Sequence, residues 1–423
     1  MSLISLNLTI IAVSELFENE TSWAINFPSN YTDLSRAPSW CSFKGVTCGE
    51  NSMNKQYRRT TEVYLPALNL DGTLPELSRL RELTNFDLSA NAIKGTIPSA
   101  FSNLIQLKNF FLNDNQLTGT VPSFIGGLTN LEILQLDTNA LGGTIPGTLG
   151  SLSSITFLDL SRNKLVGSIP STFASLTGLS YLNIANNALT SSIPIFVNNF
   201  SRLEFLYLYT NKLGGTIPST LGSLVRLKLL YLGNNLLVGT LPSSLDGLTS
   251  LNDMFIEENK LTGTIPSSLS GLVGLQYLQL AQNSLTGIIP NVFGRFPNLM
   301  EVYLDNNKLV GSIPGTLGGA RGLRRLQLNN NLLQGTIPPL NQNNLSFVDL
   351  RTNFLTMGSL TEVPLSTFSA ATLAQTLKLG ENCLAFKNPN NPSQNVNLAP
   401  RRCEGMHCTV NALIVLRNKL DYM

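Results

Sequence analysis

The side chains best suited to metal or acid–base chemistry are few, and their densest group lies near the C-terminus. It consists of Cys383, Cys403, His407 and Cys408, and His407 is the only histidine in the chain. Thiolates and imidazole are the usual ligands of structural zinc. However, the adjacent His407 and Cys408 cannot easily both reach one tetrahedral ion, and the spacing is not that of a zinc finger. The sequence therefore predicts no metal site here.

Patterns that support catalysis are also missing. The sequence contains no G-x-S-x-G, no G-x-x-x-x-G-K-S/T and no H-E-x-x-H motif. The neighbouring carboxylates Glu257 and Glu258 could in principle flank a glycosidic bond. Adjacent residues of a strand point to opposite faces, however, so this pair cannot converge on one bond. We expect a protein that is not an enzyme and that uses no cofactor.

The five cysteines are confined to the two ends of the chain, with Cys41 and Cys48 at one end and the other three near the C-terminus. This distribution predicts disulfide-linked caps and an oxidising compartment. A bond from Cys383 to either Cys403 or Cys408 is favoured over a metal site, and the odd count leaves one thiol over. Glycosylation sequons occur at Asn7, Asn19, Asn30, Asn199 and Asn344.

Composition excludes some classes of partner. Only 13% of the residues are charged and the net charge is +2, so nothing draws the chain as a whole to nucleic acid or to an anionic membrane. No apolar run reaches the roughly 18 residues that a membrane helix needs. The apolar start from Leu3 to Val13 is either a weak or truncated signal peptide or a cap helix that continues to Phe17.

One interval organises the rest of the sequence. Asparagine recurs every 24 residues from Asn91 to Asn331, with a glycine four residues after nearly every copy and a proline seven residues after every copy. So strict a period predicts a solenoid, in which each copy is one coil stacked on its neighbours. Asn353 follows after 22 residues, which predicts an irregular closing end.

Each coil divides into three parts. The segment before the asparagine alternates apolar and polar residues, as in residues 83–88, and this predicts a short strand with one face inward. The asparagine amide can satisfy backbone groups that no strand pairing reaches. After the proline, leucines recur every three positions, as at Leu221, Leu224 and Leu227, which favours a 3-10 turn over an α-helix.

Two motifs resemble a known family. The segment Trp40-Cys41-x-Phe43-x-Gly45-Val46-x-Cys48 is similar to the N-terminal cap of plant-type leucine-rich-repeat (LRR) proteins, in which the two cysteines bond to each other. The coils resemble the same family's L-x-x-L-x-L-x-x-N-x-L-x-G-x-I-P unit. Members with this repeat include receptor-like protein ectodomains and polygalacturonase-inhibitor-type proteins.

The resemblance implies an α/β fold: a right-handed LRR solenoid, or horseshoe, with a parallel β-sheet on its concave side and 3-10 or short helical segments on its convex side. Three parts are expected: an N-terminal region with a cysteine cap at 1–61, the solenoid at 62–382, and a C-terminal cap and tail at 383–423. Cys41 and Cys48 would form the disulfide of the first cap. Ser191 replaces the repeat glycine in one coil, which puts the local geometry there in question.

The asparagine period gives every strand residue a predicted orientation. Residues three and five before each asparagine face the core, so those two, four and six before it face the concave side. That side gathers aromatic and charged residues, a composition typical of binding hot spots. The candidate ligand-binding residues are Phe157, Tyr181, Phe205, Tyr207, Tyr209, Tyr231, Phe255, Glu257, Tyr277, Tyr303 and Arg325. The alternative is that the aromatic rings only stabilise the sheet by stacking on one another.

The sequence thus favours a secreted or cell-surface module that binds a protein, peptide or glycan on its concave face. One alternative is an inhibitor of a cell-wall-degrading hydrolase. Another is a receptor-like ectodomain that lacks its membrane and kinase parts. No nucleic acid is expected as a partner, and neither the ligand nor the oligomeric state follows from the residues.

Overall fold

The computed structural model describes residues 46–50, 58–75, 77–78, 80–338, 340, 345–356 and 377–378. The chain divides into two compact units, Met1–Leu213 and Gly214–Met423. The start of the chain and three of the four cysteines assigned to disulfides (Cys41, Cys383 and Cys403) lie outside the described residues, and Cys48 is described by its backbone alone. The disulfides, the signal peptide or cap helix, and the domain boundaries at 61 and 382 therefore stay predictions.

The first unit is built on a sheet that receives one short strand from each coil. Its first two strands pair antiparallel, an arrangement that the sequence did not predict. All later pairs are parallel. The first of them, Val63 with Phe86, joins residues 23 positions apart, and the others join residues 24 positions apart, as in Phe157 with Tyr181. The strands are Val46–Glu50, Arg58–Tyr64, Asn85–Asp87, Asn109–Phe111, Ile133–Gln135, Phe157–Asp159, Tyr181–Asn183 and Phe205–Tyr207.

The second unit repeats this arrangement with parallel pairs alone among its described strands. The pairing again follows the 24-residue period, as in Tyr231 with Phe255, and shortens to 22 residues between Arg325 and Phe347. The strands are Leu229–Tyr231, Asp253–Phe255, Tyr277–Gln279, Glu301–Tyr303, Arg325–Gln327, Phe347–Asp349 and Leu377–Lys378.

A second row of short parallel strands follows the asparagines. In the first unit these strands are Asp71–Thr73, Ala92–Gly95, Gln116–Leu117, Gly142–Thr144, Lys164–Gly167 and Ala188–Leu189, and in the second Val310–Gly311, Leu332–Thr336 and Phe354–Thr356. Three-residue to five-residue 3-10 segments come after the proline positions. They are Ser99–Asn103, Ser123–Gly127, Gly147–Ser151, Ser171–Ser175, Ile195–Asn199, Ser219–Ser223, Ser243–Gly247, Ser267–Gly271, Phe293–Arg295 and Gly315–Gly319. The predicted LRR solenoid architecture, with 3-10 turns opposite the sheet, is confirmed.

The repeated asparagine bonds the main chain of consecutive coils. Asn139 Oδ1 accepts a hydrogen bond from the Leu117 N–H at 2.9 Å. Its Nδ2 donates to the carbonyls of Leu112, Leu136 and Asp137 at 2.9, 3.2 and 3.1 Å. One side chain thus bonds four backbone groups. The Asp137 carbonyl also accepts from the Asp114 N–H, whereas the other three are groups that strand pairing leaves over, and an unmet buried group of this kind costs about 1–3 kcal/mol.

The asparagine contacts continue where the sequence interval fails. Asn353 Oδ1 accepts from the Leu333 N–H at 3.0 Å, and its Nδ2 donates to the Leu328 carbonyl at 2.9 Å. The coil is two residues shorter than the others, yet its asparagine keeps the same role. The loss of two residues is therefore absorbed between the asparagines and does not disturb the strand register at Phe347–Asp349.

Two features explain why glycine occupies the repeat position: a positive φ and a close contact with the preceding coil. Gly263 has a φ of +73°, and a Cβ at this residue would lie 2.6 Å from Thr240 Cγ2 in the preceding coil. Ser191 keeps the same positive φ, 75°, so the geometry questioned from sequence is retained. The corresponding residue of its preceding coil is Ser168, which lacks the threonine methyl group. The serine at 191 therefore meets no such methyl.

Candidate binding faces

Strand alternation places the candidate residues on the side of each sheet that faces away from the core, called here the solvent face. In the strand Tyr181–Asn183 the central Leu182 is buried and both neighbours are partly exposed. The same pattern recurs in Asp253–Phe255 and in most other three-residue strands of both sheets. Residues four and six before the asparagine thus lie where the sequence puts them, on the solvent face.

The third predicted row, two residues before each asparagine, is partly covered. Its members Ser161, Ala185, Gly233, Ala281 and Asp305 are buried. Four of them are small, so the side chains of adjacent rungs close over them. These five residues are therefore covered, whereas Tyr209 and Glu257 of the same row remain partly exposed.

In the first unit the predicted aromatic residues form one cluster. The rings of Phe157 and Tyr181 stack with centroids 3.9 Å apart and planes 6° from parallel. Tyr181 also lies against Phe205 and Tyr207, at 6.0 and 5.5 Å, and Tyr207 meets Tyr209 edge-on at 6.5 Å. All five rings are partly buried against one another. Stacking of this kind adds to sheet stability, as the alternative interpretation expected.

A buried carboxylate underlies this cluster, and the sequence analysis did not single it out. Asp159 is only 5% exposed. Its Oδ2 accepts hydrogen bonds from the Asn183 amide at 2.9 Å and from the Tyr181 hydroxyl at 3.3 Å, and its Oδ1 accepts from the Ser161 N–H. Burial and the Asp159 charge raise the pKa of Tyr181, so its hydroxyl stays a donor. The position four before Asn163 was the signal that could have found Asp159.

Asp137, on the adjacent coil, is less well satisfied. Its Oδ2 accepts a hydrogen bond from the Thr138 hydroxyl at 3.1 Å, but its Oδ1 is buried without a hydrogen-bond partner. Burial raises the pKa of Asp137 to about 6, and the neighbouring Asp159 charge adds to this effect. The first face therefore carries a carboxyl group that changes charge near neutral pH.

In the second unit the rings are paired with acids. Tyr231 and Phe255 lie on adjacent strands with centroids 4.4 Å apart. The Tyr231 hydroxyl donates to Asp253 Oδ2 at 3.1 Å. Burial raises the pKa of Asp253, and the Tyr231 hydrogen bond opposes that shift. Burial likewise raises the pKa of Glu257, whose Oε2 is buried without a hydrogen-bond partner.

Farther along this face, polar contacts replace ring stacking. The Tyr277 hydroxyl contacts Met300 Sδ at 3.4 Å. The Tyr303 hydroxyl hydrogen-bonds Glu301 and accepts from Arg325 Nη1 at 3.3 Å. Burial, followed by the bond to Glu301, raises the pKa of Tyr303.

Three aromatic residues of the solvent faces were missed in the sequence: Phe347, Phe111 and Tyr64, which pairs in register with Asp87 and is 63% exposed. The Arg325 guanidinium lies 5.4 Å from the ring centre of Phe347, within reach of a cation–π contact. Phe347 occupies the position six before Asn353, and Phe111 the position four before Asn115. Both follow from the same counting rule, so the signal for them was present. The predicted aromatic residues fall partly in the first unit and partly in the second, and each group lies on the solvent face of its own unit.

Neither metal binding nor membrane insertion finds support in the described residues. Within them, no group of three or more His, Cys, Asp or Glu side chains is placed to hold a metal ion. A search of the same residues found no helix with the length and apolarity to cross a membrane.

Comparison with known families identifies the repeat. The model described as Leucine rich repeat matches residues 81–141, 105–165, 225–285, 253–309 and 274–333, and a second Leucine Rich Repeat model matches 202–224. Together these matches cover just over half of the chain. A curated relative, the LRR receptor-like serine/threonine-protein kinase GSO2 of Arabidopsis thaliana, is 38% identical over 71 residues, which are 16% of this chain and 5% of that protein.

Solved structures extend the similarity. The plant peptide hormone receptor RGFR1, in complex with RGF2, is 33% identical with a TM-score of 0.70, over 74% of this chain and 50% of that one. The LRR ectodomain of the Arabidopsis thaliana receptor kinase GASSHO1/SCHENGEN3, in complex with CASPARIAN STRIP INTEGRITY FACTOR 2, is 32% identical with a TM-score of 0.65, over 74% and 40%. A TDR receptor is 30% identical with a TM-score of 0.66, over 76% and 60%.

These proteins are similar to the chain over its coils, and the chain spans 40 to 60% of the length of the three solved chains. The chain belongs to the leucine-rich-repeat proteins, of the plant receptor-like type.

Proposed function

We propose that this chain is a non-catalytic extracellular recognition module that binds a peptide segment along the solvent face of the second unit. The observation that carries the proposal is the Tyr231–Phe255 ring pair, 4.4 Å apart, with Asp253 bonded to the Tyr231 hydroxyl. Aromatic residues are enriched at interfaces, and tyrosine is among the residue types that dominate their binding energy. A rigid strand ladder holds them in place before a ligand arrives, which lowers the entropy cost of binding.

The similar proteins support a peptide over other ligands. RGFR1 is a peptide hormone receptor solved with RGF2, and the GASSHO1/SCHENGEN3 ectodomain was solved with an integrity factor. Because these are receptors of plant cells, an extracellular or cell-surface location fits the same comparison. The hydrolase-inhibitor alternative stays a prediction.

The experiment is selection of a random displayed peptide library on the immobilised full chain, followed by calorimetry with the selected peptides. Truncating one interface hot spot typically costs about 2 kcal/mol or more, which is about thirtyfold in Kd. We therefore expect the double variant Tyr231→Ala/Phe255→Ala to weaken binding by at least that factor. Both side chains lie on the solvent face, so the double variant should still fold. The thermal melt should show only a modest loss of stability, from the missing ring pair and the missing Tyr231–Asp253 hydrogen bond.

Phe354→Ala is the matched control. This phenylalanine is 56% exposed and lies in the second row of strands, away from the solvent face. Its loss removes a comparable apolar area but should leave the Kd unchanged. Selected peptides that bind equally well to wild type and to the double variant, or that lose affinity with Phe354→Ala instead, would contradict the proposed face.

A further inference from the structure

Gly233 leaves a notch in the solvent face of the second unit. It lies two residues before Asn235, and in the coils from Asn91 to Asn353 it is the only glycine at that position. A Cβ at Gly233 would lie 2.3 Å from Glu257 Oε1 and 2.6 Å from Glu257 Cδ. The space that a side chain occupies in the other coils is therefore filled here by the carboxylate of Glu257, which comes from the next coil.

The Glu257 carboxylate makes few favourable polar contacts in this position. Its Oε2 is buried without a hydrogen-bond partner. Burial and the like charge of Glu258 raise the pKa of the carboxyl group, whereas a hydrogen bond from its own backbone lowers it. A buried acceptor without a partner costs about 1–3 kcal/mol, so this oxygen calls for an explanation. The group is thus held ready for a donor that the described residues do not supply.

The side chains beside the notch indicate what that donor is. Tyr231 and Phe255 end the paired strands Leu229–Tyr231 and Asp253–Phe255, two residues before Gly233 and Glu257. Because alternate residues of an extended chain point to the same side, we expect their rings to border the notch. Asp253 adds a second carboxylate next to the Tyr231 hydroxyl. Aromatic ring faces and carboxylates together are the environment that binds an ammonium or guanidinium group.

We propose that the notch formed by Gly233, Glu257, Tyr231 and Phe255 is a subsite for a lysine or arginine side chain of the peptide ligand. The inference rests on the proposed function. The cation enters as the carboxylate turns outward from Gly233. This movement breaks no hydrogen bond at Oε2, because that atom has none.

The test is peptide selection in parallel on the wild-type chain and on Glu257→Gln. We expect lysine and arginine to be enriched among wild-type binders and this enrichment to disappear in the variant. An arginine peptide should bind wild type about tenfold more tightly than its citrulline analogue, and Glu257→Gln should remove that difference.

Glu258→Gln supplies the matched control, because this exposed neighbour undergoes the same change of charge. It should select the same peptides as wild type. If the binders depend on Tyr231 and Phe255 but show no preference for a cation, or if Glu257→Gln leaves the citrulline difference intact, the subsite is overturned and the proposed function stands. If no selected peptide depends on Tyr231 and Phe255, the proposed function and the subsite both fail.

Discussion

At the residue scale, a side chain's role follows from its distance to the asparagine of its coil. That distance was readable in the sequence, because a strict 24-residue period combined with strand alternation leaves one orientation for each position. Burial was not readable. Asp159 is buried because Tyr181 and Asn183, 22 and 24 residues later, lie over it. Contacts between successive coils, which set burial and pKa, depend on packing that no single repeat reveals.

Asp137 gives a prediction about pH. Its pKa rises from 3.8 in the unfolded chain to about 6 in the fold, so folding disfavours its charged form. Below about pH 4 this carboxyl group does not reduce the free energy of unfolding, because it is protonated in both states. As the pH rises through 6, its contribution lowers the free energy of unfolding. Asp137→Asn stays neutral throughout and escapes this loss. We expect it to exceed wild type by about 1 kcal/mol at pH 8, a value reduced for partial exposure, and to match it at pH 4.

Urea unfolding of both proteins at several pH values measures the difference. The advantage of the asparagine variant should grow between pH 4 and pH 7 and then level off. A variant whose advantage is the same at pH 4 and pH 8 would show that the raised pKa of Asp137 does not affect stability.

At the element scale, the repeat glycine of most coils lies against the threonine of the coil before, although Gly311 meets Ile288 and Gly335 meets Ser312. The sequence predicted the glycine from its recurrence but not the reason for it, because the contact joins residues 23 positions apart. Gly263 would bring a Cβ within 2.6 Å of Thr240 Cγ2, whereas at Gly335 the nearest atom is Ser312 Cβ at 3.5 Å. Ser191 follows the same rule, since a serine stands at 168.

These two glycines form a matched pair for a stability prediction. Both have positive φ, +73° and +83°, so Gly263→Ala and Gly335→Ala each cost about 1–2 kcal/mol in backbone strain. Only the first also overlaps a threonine methyl, which adds about 1–3 kcal/mol. We expect Gly263→Ala to be the more destabilising by that amount in chemical unfolding.

Removing the overlapping methyl group should abolish the difference in destabilisation between the two glycine substitutions. Thr240→Ser combined with Gly263→Ala should bring the cost close to that of Gly335→Ala. Equal destabilisation by the two single glycine substitutions would show that backbone strain alone explains the glycine.

At the scale of the whole molecule, the two units are built from the same type of coil but differ in the side chains of their solvent faces. In the first unit five aromatic rings pack together over the satisfied carboxylate Asp159. In the second, one ring pair borders the unsatisfied carboxylate Glu257. The period predicted the solenoid and the aromatic residues on its sheet. It could not separate rings that mainly stabilise the sheet from rings placed for a ligand, because that distinction depends on the polar groups beside them.

The central claim is that the ligand lies on the solvent face of the second unit. Hydroxyl-radical footprinting of the full chain, with and without a display-selected peptide, tests it most directly by measuring oxidation of individual aromatic side chains. We predict that Tyr231 and Phe255 are protected by the peptide while the exposed Phe354 is oxidised equally in both samples. Protection of Phe354 with no change at Tyr231 and Phe255 would contradict the account.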